Sequence, residues 1–113
     1  MEQSRNMMQI ATQALADKKG ENITVIDISA ISVIADYFVI TNGTSDSQIR
    51  ALVDHVEEKL AEAGYHPKQQ EGGGSSTWVL MDYGDIIIHI FDKESRSFYN
   101  LERIWSDGRE VEV

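Results

Sequence analysis

The chain contains no cysteine. That absence excludes disulfide bonds, thiolate catalysis, cysteine-bound zinc and iron–sulfur clusters, and it fits a reducing compartment. No apolar run approaches the roughly 20 residues that span a bilayer. The first residues also lack a basic stretch followed by an apolar signal core. We therefore expect a cytoplasmic protein without a membrane segment.

Basic residues are scarce: 10 lysines and arginines stand against 19 aspartates and glutamates, a net charge of −9. A polyanion binds a basic surface, so free nucleic acid is not the expected ligand, whereas a basic protein partner is electrostatically favoured. Proline occurs once, and 42% of the 113 residues are hydrophobic. This composition is that of a folded protein, and the length predicts one domain over residues 1–113.

The first third of the chain predicts one helix and two strands. Apolar residues recur at helical spacing up to a cationic turn that ends at Gly20, which favours an amphipathic helix. Residues 22–29 are rich in β-branched side chains and predict a strand. Residues 36–41 predict a second strand, whose continuous apolar run is typical of burial on both faces.

A second helix is predicted after the turn at residues 41–45. Ser45 and Gln48 have the spacing of a capping box, and Gly64 suits the far end of the helix. Residues 66–76 contain the only proline and three consecutive glycines, which favours a flexible loop.

The last third predicts a hairpin and a helix. Residues 77–83 and 85–91 form two predicted strands joined by a tight turn at Tyr83-Gly84. Residues 94–105 then predict one helix, with Phe98 and Ile104 on its apolar side. The acidic residues that follow are interpreted as a solvated surface.

The hairpin has two unlike faces, because side chains alternate along a strand. This turn would pair Asp82 with Asp85 and Trp78 with His89. One face is purely apolar: Val79, Met81, Ile86, Ile88 and Ile90. The other mixes large apolar groups with carboxylates: Trp78, Leu80, Asp82, Asp85, Ile87, His89 and Phe91. Either one of the chain's own helices covers this mixed face, or a partner with basic groups does.

Patterns that would indicate chemistry are weak. The three histidines have no metal-ligand spacing, and the glycine run lacks the Gly-Lys-Ser/Thr ending of a phosphate loop. Gly43-Thr44-Ser45 joins a strand to a helix and could hold a phosphate on backbone amides. The magnesium-binding Asp-x-Asp pair that a nucleotidyltransferase needs is missing from the sequence. We expect no cofactor and no metal.

Five segments, in order along nearly the whole chain, carry a family pattern: Asp36-Tyr37-Phe38-Val39-Ile40, Gly43-Thr44-Ser45-Asp46, Trp78-Val79-Leu80-Met81-Asp82-Tyr83-Gly84-Asp85, His89-Ile90-Phe91 and Phe98-Tyr99-Asn100-Leu101-Glu102-Arg103-Ile104-Trp105. This pattern resembles the ribosomal silencing factor family, also called Iojap-like. Asn42 departs from it, since relatives tend to carry a small residue there.

The resemblance implies an α/β fold, a mixed sheet flanked by helices, related to nucleotidyltransferases but without their catalytic carboxylates. It implies binding to ribosomal protein fourteen of the large subunit, at the face where the small subunit joins. Blocking that joining would repress translation under nutrient limitation, without enzymatic activity. Carried onto this chain, the expected binding residues are Trp78, Leu80, Asp82, Tyr83, Asp85 and His89.

Two alternatives stay open at this point. A nucleotidyltransferase-like enzyme would bind a nucleotide with magnesium at Gly43-Thr44-Ser45. A self-associating protein would use the mixed hairpin face to build a homodimer.

Overall fold

The structure is a computed structural model that describes residues 2–72 and 77–112. Within those residues the chain forms four helices and six strands, in the order α1 (Glu2–Asp17), β1 (Glu21–Asp27), β2 (Tyr37–Gly43), α2 (Asp46–Glu62), β3 (Gln69–Glu71), β4 (Trp78–Asp82), β5 (Ile86–Asp92), α3 (Lys93–Tyr99), α4 (Leu101–Ile104) and β6 (Arg109–Val111). The predicted helices and strands of the first two thirds are confirmed, with ends that differ by one or two residues.

The strands form one mixed sheet in the order β3-β4-β5-β2-β1-β6. The central strands β2 and β5 run parallel, and every other neighbouring pair is antiparallel. All seven residues of β2 are buried, as its continuous apolar run predicts. The predicted fold class, a mixed sheet flanked by helices, is confirmed.

Helices cover the two sheet faces unequally. The long helices α1 and α2 pack on one face, where their apolar stripes and the strands form the larger core cluster. The short helices α3 and α4 lie over the other face, where Leu101 joins a smaller cluster. We call these the α1–α2 face and the α3–α4 face.

The predicted cap of α2 is confirmed, with a variation. The Ser45 hydroxyl accepts a hydrogen bond from the Gln48 N–H at 3.1 Å. The Gln48 side chain does not return to the Ser45 N–H; its Oε1 accepts from the Thr44 N–H at 2.7 Å. Its Nε2 donates to the backbone oxygen of Lys19 at 2.9 Å. Gln48 therefore ties the start of α2 to the turn that follows α1.

The predicted hairpin register is wrong by two residues. The turn is Gly84-Asp85, because the Tyr83 N–H donates to the Ile86 oxygen at 2.9 Å. Gly84 has φ +84°, a left-handed conformation that favours glycine. Trp78 consequently pairs with Phe91. A shift of two leaves each strand residue on its predicted face, since side chains alternate with a period of two.

Three further predictions need correction. The helix predicted over residues 94–105 is broken at Asn100, whose φ of +47° ends α3 and starts α4 in a new direction. Phe98 and Ile104 are consequently exposed, at 81% and 67%, instead of facing a core. Part of the predicted loop 66–76 forms β3, and residues 73–76 lie outside the described residues. The acidic end of the chain contains β6, paired with β1.

Candidate protein-binding surface

The α3–α4 face is only partly covered by the chain's own helices. On β4, which lies towards one side of the sheet, Trp78, Leu80 and Asp82 point to this face and stay half-buried. Tyr99 of α3 packs against Trp78, with ring centroids 4.6 Å apart, and Phe98 packs edge-on against Tyr99 at 5.1 Å. These five side chains form one continuous patch, which we call the β4 surface.

The mixed hairpin face is covered by the chain itself in one part and accessible in another. The chain's own C-terminal segment covers the central strands, where Trp105 packs edge-on against Phe38 at 5.0 Å. The β4 side stays accessible, with an apolar centre in Trp78 and Leu80. Glu71 pairs with Leu80 across β3 and β4, and residues that pair across strands share a face. Glu71 therefore adds a carboxylate beside Leu80 at the edge of the patch, whereas Gln69 is the neighbour of Asp82.

Trp78 is held from three directions. Its ring packs against Phe91, its partner across the strand pair, at 5.0 Å, and against Tyr99 at 4.6 Å. Its indole Nε1–H donates a hydrogen bond to His89 Nδ1 at 3.1 Å. The only hydrogen-bonding group of the side chain thus points into the protein, so Trp78 presents apolar ring surface to the outside.

His89 lies beneath the β4 surface, with 4% of its area exposed. Phe38 contacts it edge-on at 4.8 Å, and Phe91 is stacked at 6.3 Å. Burial lowers the pKa of His89 to about 4, because a charged ring is disfavoured in an apolar environment. The ring is neutral near pH 7. Since the indole can only donate, Nδ1 is the acceptor and the proton resides on Nε2.

The two hairpin carboxylates do not oppose each other, contrary to the register predicted above. Asp82 pairs with Ile87, and its Oδ1 accepts the Gly84 N–H at 2.8 Å, which stabilises the turn. Asp85 lies in the turn, where its Oδ2 accepts from Gln3 Nε2 at 3.0 Å. Asp82 belongs to the β4 surface, and Asp85 lies at the end of the sheet near the start of α1.

Tyr83 is not exposed at the hairpin tip, where the sequence predicted it. It is 5% exposed and packs in the core of the α1–α2 face. Burial, helped by the negative charge of Glu57, raises the pKa of its hydroxyl to about 12. Tyr83 therefore cannot contact a partner that lies on the β4 surface unless the hairpin rearranges.

The structure thus brings four of the six expected residues together, Trp78, Leu80, Asp82 and His89, with His89 below the surface. It separates Tyr83 and Asp85 from them. Sequence reasoning missed Tyr99, Phe98 and Glu71 as members or neighbours of the patch. Asn100 could have indicated that the helix ends there and that Phe98 and Tyr99 lie at its end, because asparagine adopts a left-handed backbone conformation more readily than most residues.

A saturated arginine fixes α3 to the sheet. Arg96 is 9% exposed. Its Nη1 donates to the Glu21 backbone oxygen and to Asn42 Oδ1, and its Nη2 donates to Thr24 Oγ1, at 3.0 to 3.1 Å. Its Nε and Nη2 also donate to Glu102 Oε2, at 3.3 and 3.2 Å. Because α3 carries Tyr99, this network also holds one side of the β4 surface in position.

The alternative phosphate site at Gly43-Thr44-Ser45 is occupied by the chain's own groups. Gln48 Oε1 accepts the Thr44 N–H, and Ser45 Oγ accepts the Gln48 N–H. A cavity of about 410 Å³ beside this turn is lined by three carboxylates, on Asp46, Asp92 and Glu94, and by Lys93. Their negative charge opposes a phosphate, so the geometry does not favour a nucleotide there.

Among residues 2–72 and 77–112, no three histidine, aspartate or glutamate side chains are grouped so as to hold a metal ion. In the same ranges, no helix has the length and apolar character needed to cross a membrane. The β4 surface, where four of the six expected residues lie together, is the candidate site.

Comparison with known proteins gives consistent matches. A family profile described as "Ribosomal silencing factor during starvation" matches residues 1–113. A ribosomal silencing factor of Bacillus subtilis is 41% identical over 104 residues, which cover 92% of this chain and 88% of that protein. A crystal structure from Chromobacterium violaceum has a TM-score of 0.87 at 33% identity, covering 90% of this chain and 85% of that one. A second, from Bacillus halodurans, has a TM-score of 0.85 at 35% identity, covering 96% and 99%.

Proposed function

Since the chain belongs to the ribosomal silencing factor family, we propose that it binds the large ribosomal subunit through ribosomal protein fourteen and keeps the small subunit from joining. The β4 surface is the proposed contact. Its effect is to repress translation in the cytoplasm when nutrients are limiting, without catalysis or a cofactor.

One observation carries the proposal of this contact: a half-buried tryptophan at the centre of an apolar patch that carboxylates border. Tryptophan is enriched among the residues that dominate binding energy, and such residues lie in apolar centres with polar rims. Trp78 and Leu80 supply the centre, and Asp82 and Glu71 supply the rim. A partner with an apolar patch ringed by lysines or arginines complements this arrangement.

Net charge supports the same kind of partner. The chain carries −9 at neutral pH, and ribosomal proteins are generally basic. Opposite charge accelerates encounter and contributes to affinity in a way that salt screens. Binding is therefore expected to weaken as ionic strength rises.

The proposed mechanism is steric. The described residues extend about 34 × 32 × 24 Å, and a body of that size at the subunit interface occupies volume that the small subunit needs. No residue has to change a covalent bond. Of the six residues predicted from sequence, we assign direct contact to Trp78, Leu80 and Asp82. His89 would support them from below, and Asp85 and Tyr83 would contribute through the shape of the hairpin.

The test is sedimentation with separated subunits through a sucrose gradient. The protein is expected to travel with the large subunit and to reduce the joined ribosomes formed when the small subunit is added. Trp78→Ala and Phe98→Ala should each weaken that binding, and Phe98→Ala should do so with little loss of stability because its ring is mostly exposed.

Ile10→Ala is the matched control, because it shortens a half-buried apolar side chain of α1 on the opposite side of the sheet. It should bind like the unmodified protein. Protein that stays at the top of the gradient at low salt would refute the proposed function. Full binding by both Trp78→Ala and Phe98→Ala would refute the β4 surface as the contact.

A further inference from the structure

We propose that His89 is a positioning residue for Trp78: it fixes the orientation of the indole on the β4 surface and takes up its N–H, so that a partner binds the ring without supplying a hydrogen-bond acceptor. This inference rests on the proposed function for its consequence in binding. The interaction itself is a property of the free protein.

The strand pair β4–β5 brings His89 close to Trp78. His89 lies on β5, two residues before Phe91, the direct strand partner of Trp78. The two side chains are therefore diagonal neighbours on the same face, within reach of each other. The indole Nε1 lies 3.1 Å from His89 Nδ1. A tryptophan packed only by Phe91 and Tyr99 could turn about its side-chain bonds, whereas this hydrogen bond selects one orientation.

The indole N–H of Trp78 needs an acceptor when a partner buries the ring. An indole N–H that faced a partner's apolar patch would need an acceptor there, because an unpaired buried donor is costly. His89 Nδ1 supplies the acceptor from inside the protein. Its other nitrogen, Nε2, is buried and has no hydrogen-bond partner among the residues that the structure describes.

The hydrogen bond to His89 fixes the orientation of Trp78 before a partner binds. Holding a large side chain in its bound orientation before contact reduces the entropy lost on binding. Removal of the acceptor should therefore weaken binding by about tenfold, the effect of losing one hydrogen bond of ordinary strength.

The experiment uses two substitutions of His89 in the full chain. His89→Phe keeps an aromatic ring but removes the acceptor. His89→Asn restores one, because Oδ1 of asparagine and Nδ1 of histidine are the same number of bonds from Cα. Ile26→Val is the control, because it removes one methyl group from the same core cluster at a position away from the contacts of Trp78.

The first readout is solvent exchange of the Trp78 indole proton by NMR. The chain has two tryptophans, and Trp105→Phe identifies the signal of Trp78. The proton should be protected in the unmodified protein, in His89→Asn and in Ile26→Val. In His89→Phe it should exchange about tenfold faster or more. An unprotected proton in the unmodified protein would overturn the inference.

The second readout is binding to the large subunit, measured with and without Trp78. His89→Phe should weaken binding about tenfold in the normal chain and change it much less in a Trp78→Phe background, because its effect passes through the indole. Equal weakening in both backgrounds would assign His89 a general structural role and overturn the inference. If the unmodified protein does not bind the subunit, the proposed function fails, and the indole proton alone decides the inference.

Discussion

Asn42 Oδ1 accepts a hydrogen bond from Arg96 Nη1 at 3.0 Å, between a sheet residue and a helix 54 positions further along the chain. The Nδ2 group of the same amide donates to Glu21 Oε1 at 2.8 Å. Asn42 is also the residue that is expected, on the sequence alone, to depart from the family pattern. At this buried position its amide has a hydrogen-bond partner on both sides.

Asn42→Ala should lower the free energy of unfolding by about 1–3 kcal/mol, because it leaves a buried arginine donor unpaired. Urea unfolding followed by circular dichroism measures this. Asn6→Ala, at an exposed position on α1, should stay within about 0.5 kcal/mol of the unmodified protein. Equal stability of the two variants would contradict a stabilising role for the hydrogen bond between Asn42 and Arg96.

Removal of the α2 cap gives a second stability prediction. Ser45→Ala deletes the acceptor for the Gln48 N–H and should cost about 1 kcal/mol. Ser47→Ala changes the same residue type two positions later, inside the first turn of α2, and should cost little because alanine favours a helix. Thermal unfolding of the two variants compares them directly. A larger loss from Ser47→Ala would contradict the assigned cap.

Acid should destabilise the protein through His89. Its pKa is about 4 in the folded chain and 6.5 when unperturbed, since burial disfavours the charged ring. Between these values the unfolded chain binds more protons, so the free energy of unfolding falls as pH drops from 6.5 towards 4, by roughly 3 kcal/mol in total. The hydroxyl of Ser29 holds the pKa of Asp27 below its usual 3.8. Stability from that carboxylate is lost only at still lower pH.

Urea unfolding at several pH values between 7 and 4 tests the contribution of His89. His89→Asn should flatten the dependence across this window, whereas His66→Gln, at an exposed position, should leave it largely unchanged. A slope that persists in His89→Asn would assign the acid sensitivity to other groups.

Charge at the rim gives a prediction for binding. Asp82→Asn keeps the Oδ1 acceptor for the Gly84 N–H and removes only the negative charge. It should weaken binding to the large subunit several-fold at low salt and reduce the dependence on salt, with little change at high salt. Asp54→Asn, on the exposed side of α2, is the matched control. Identical salt dependence in the two variants would argue against a role for the Asp82 charge in docking.

Much of this fold follows from local sequence patterns. The cap at Ser45, the buried strand β2 and the division of the hairpin into two faces are all consequences of spacing within a few residues. The assignment of side chains to the two faces is correct although the predicted turn is not, because the pairing register was wrong by an even number of residues. Tyr83 shows the limit of reasoning from alternation. It lies on the same face as Val79 and Met81, which predicts burial, but its place next to the turn suggested exposure.

The rest depends on contacts that spacing does not reveal. The hydrogen-bond partners of Arg96 lie on β1, β2 and α4. Because these elements are far apart in sequence, no local sequence pattern predicts the network. The edge strands β3 and β6 have three residues each and are largely polar, which gives no periodicity to detect. The predicted register placed Trp78 directly opposite His89, whereas in the structure the two are diagonal neighbours joined by a hydrogen bond. The packing of Tyr99 on Trp78 depends on the break between α3 and α4, which no local spacing shows.

The parallel pairing of β2 with β5 has a consequence for how the chain folds. The two central strands are separated in sequence by all of α2, β3 and β4, so the middle of the sheet cannot form by a local hairpin. Loop closure must precede most of the stabilising contacts, which slows folding relative to a helical bundle of the same length. During synthesis, α3 and its Tyr99 emerge after β5. The β4 surface is therefore completed only after α3 has left the ribosome that makes the chain.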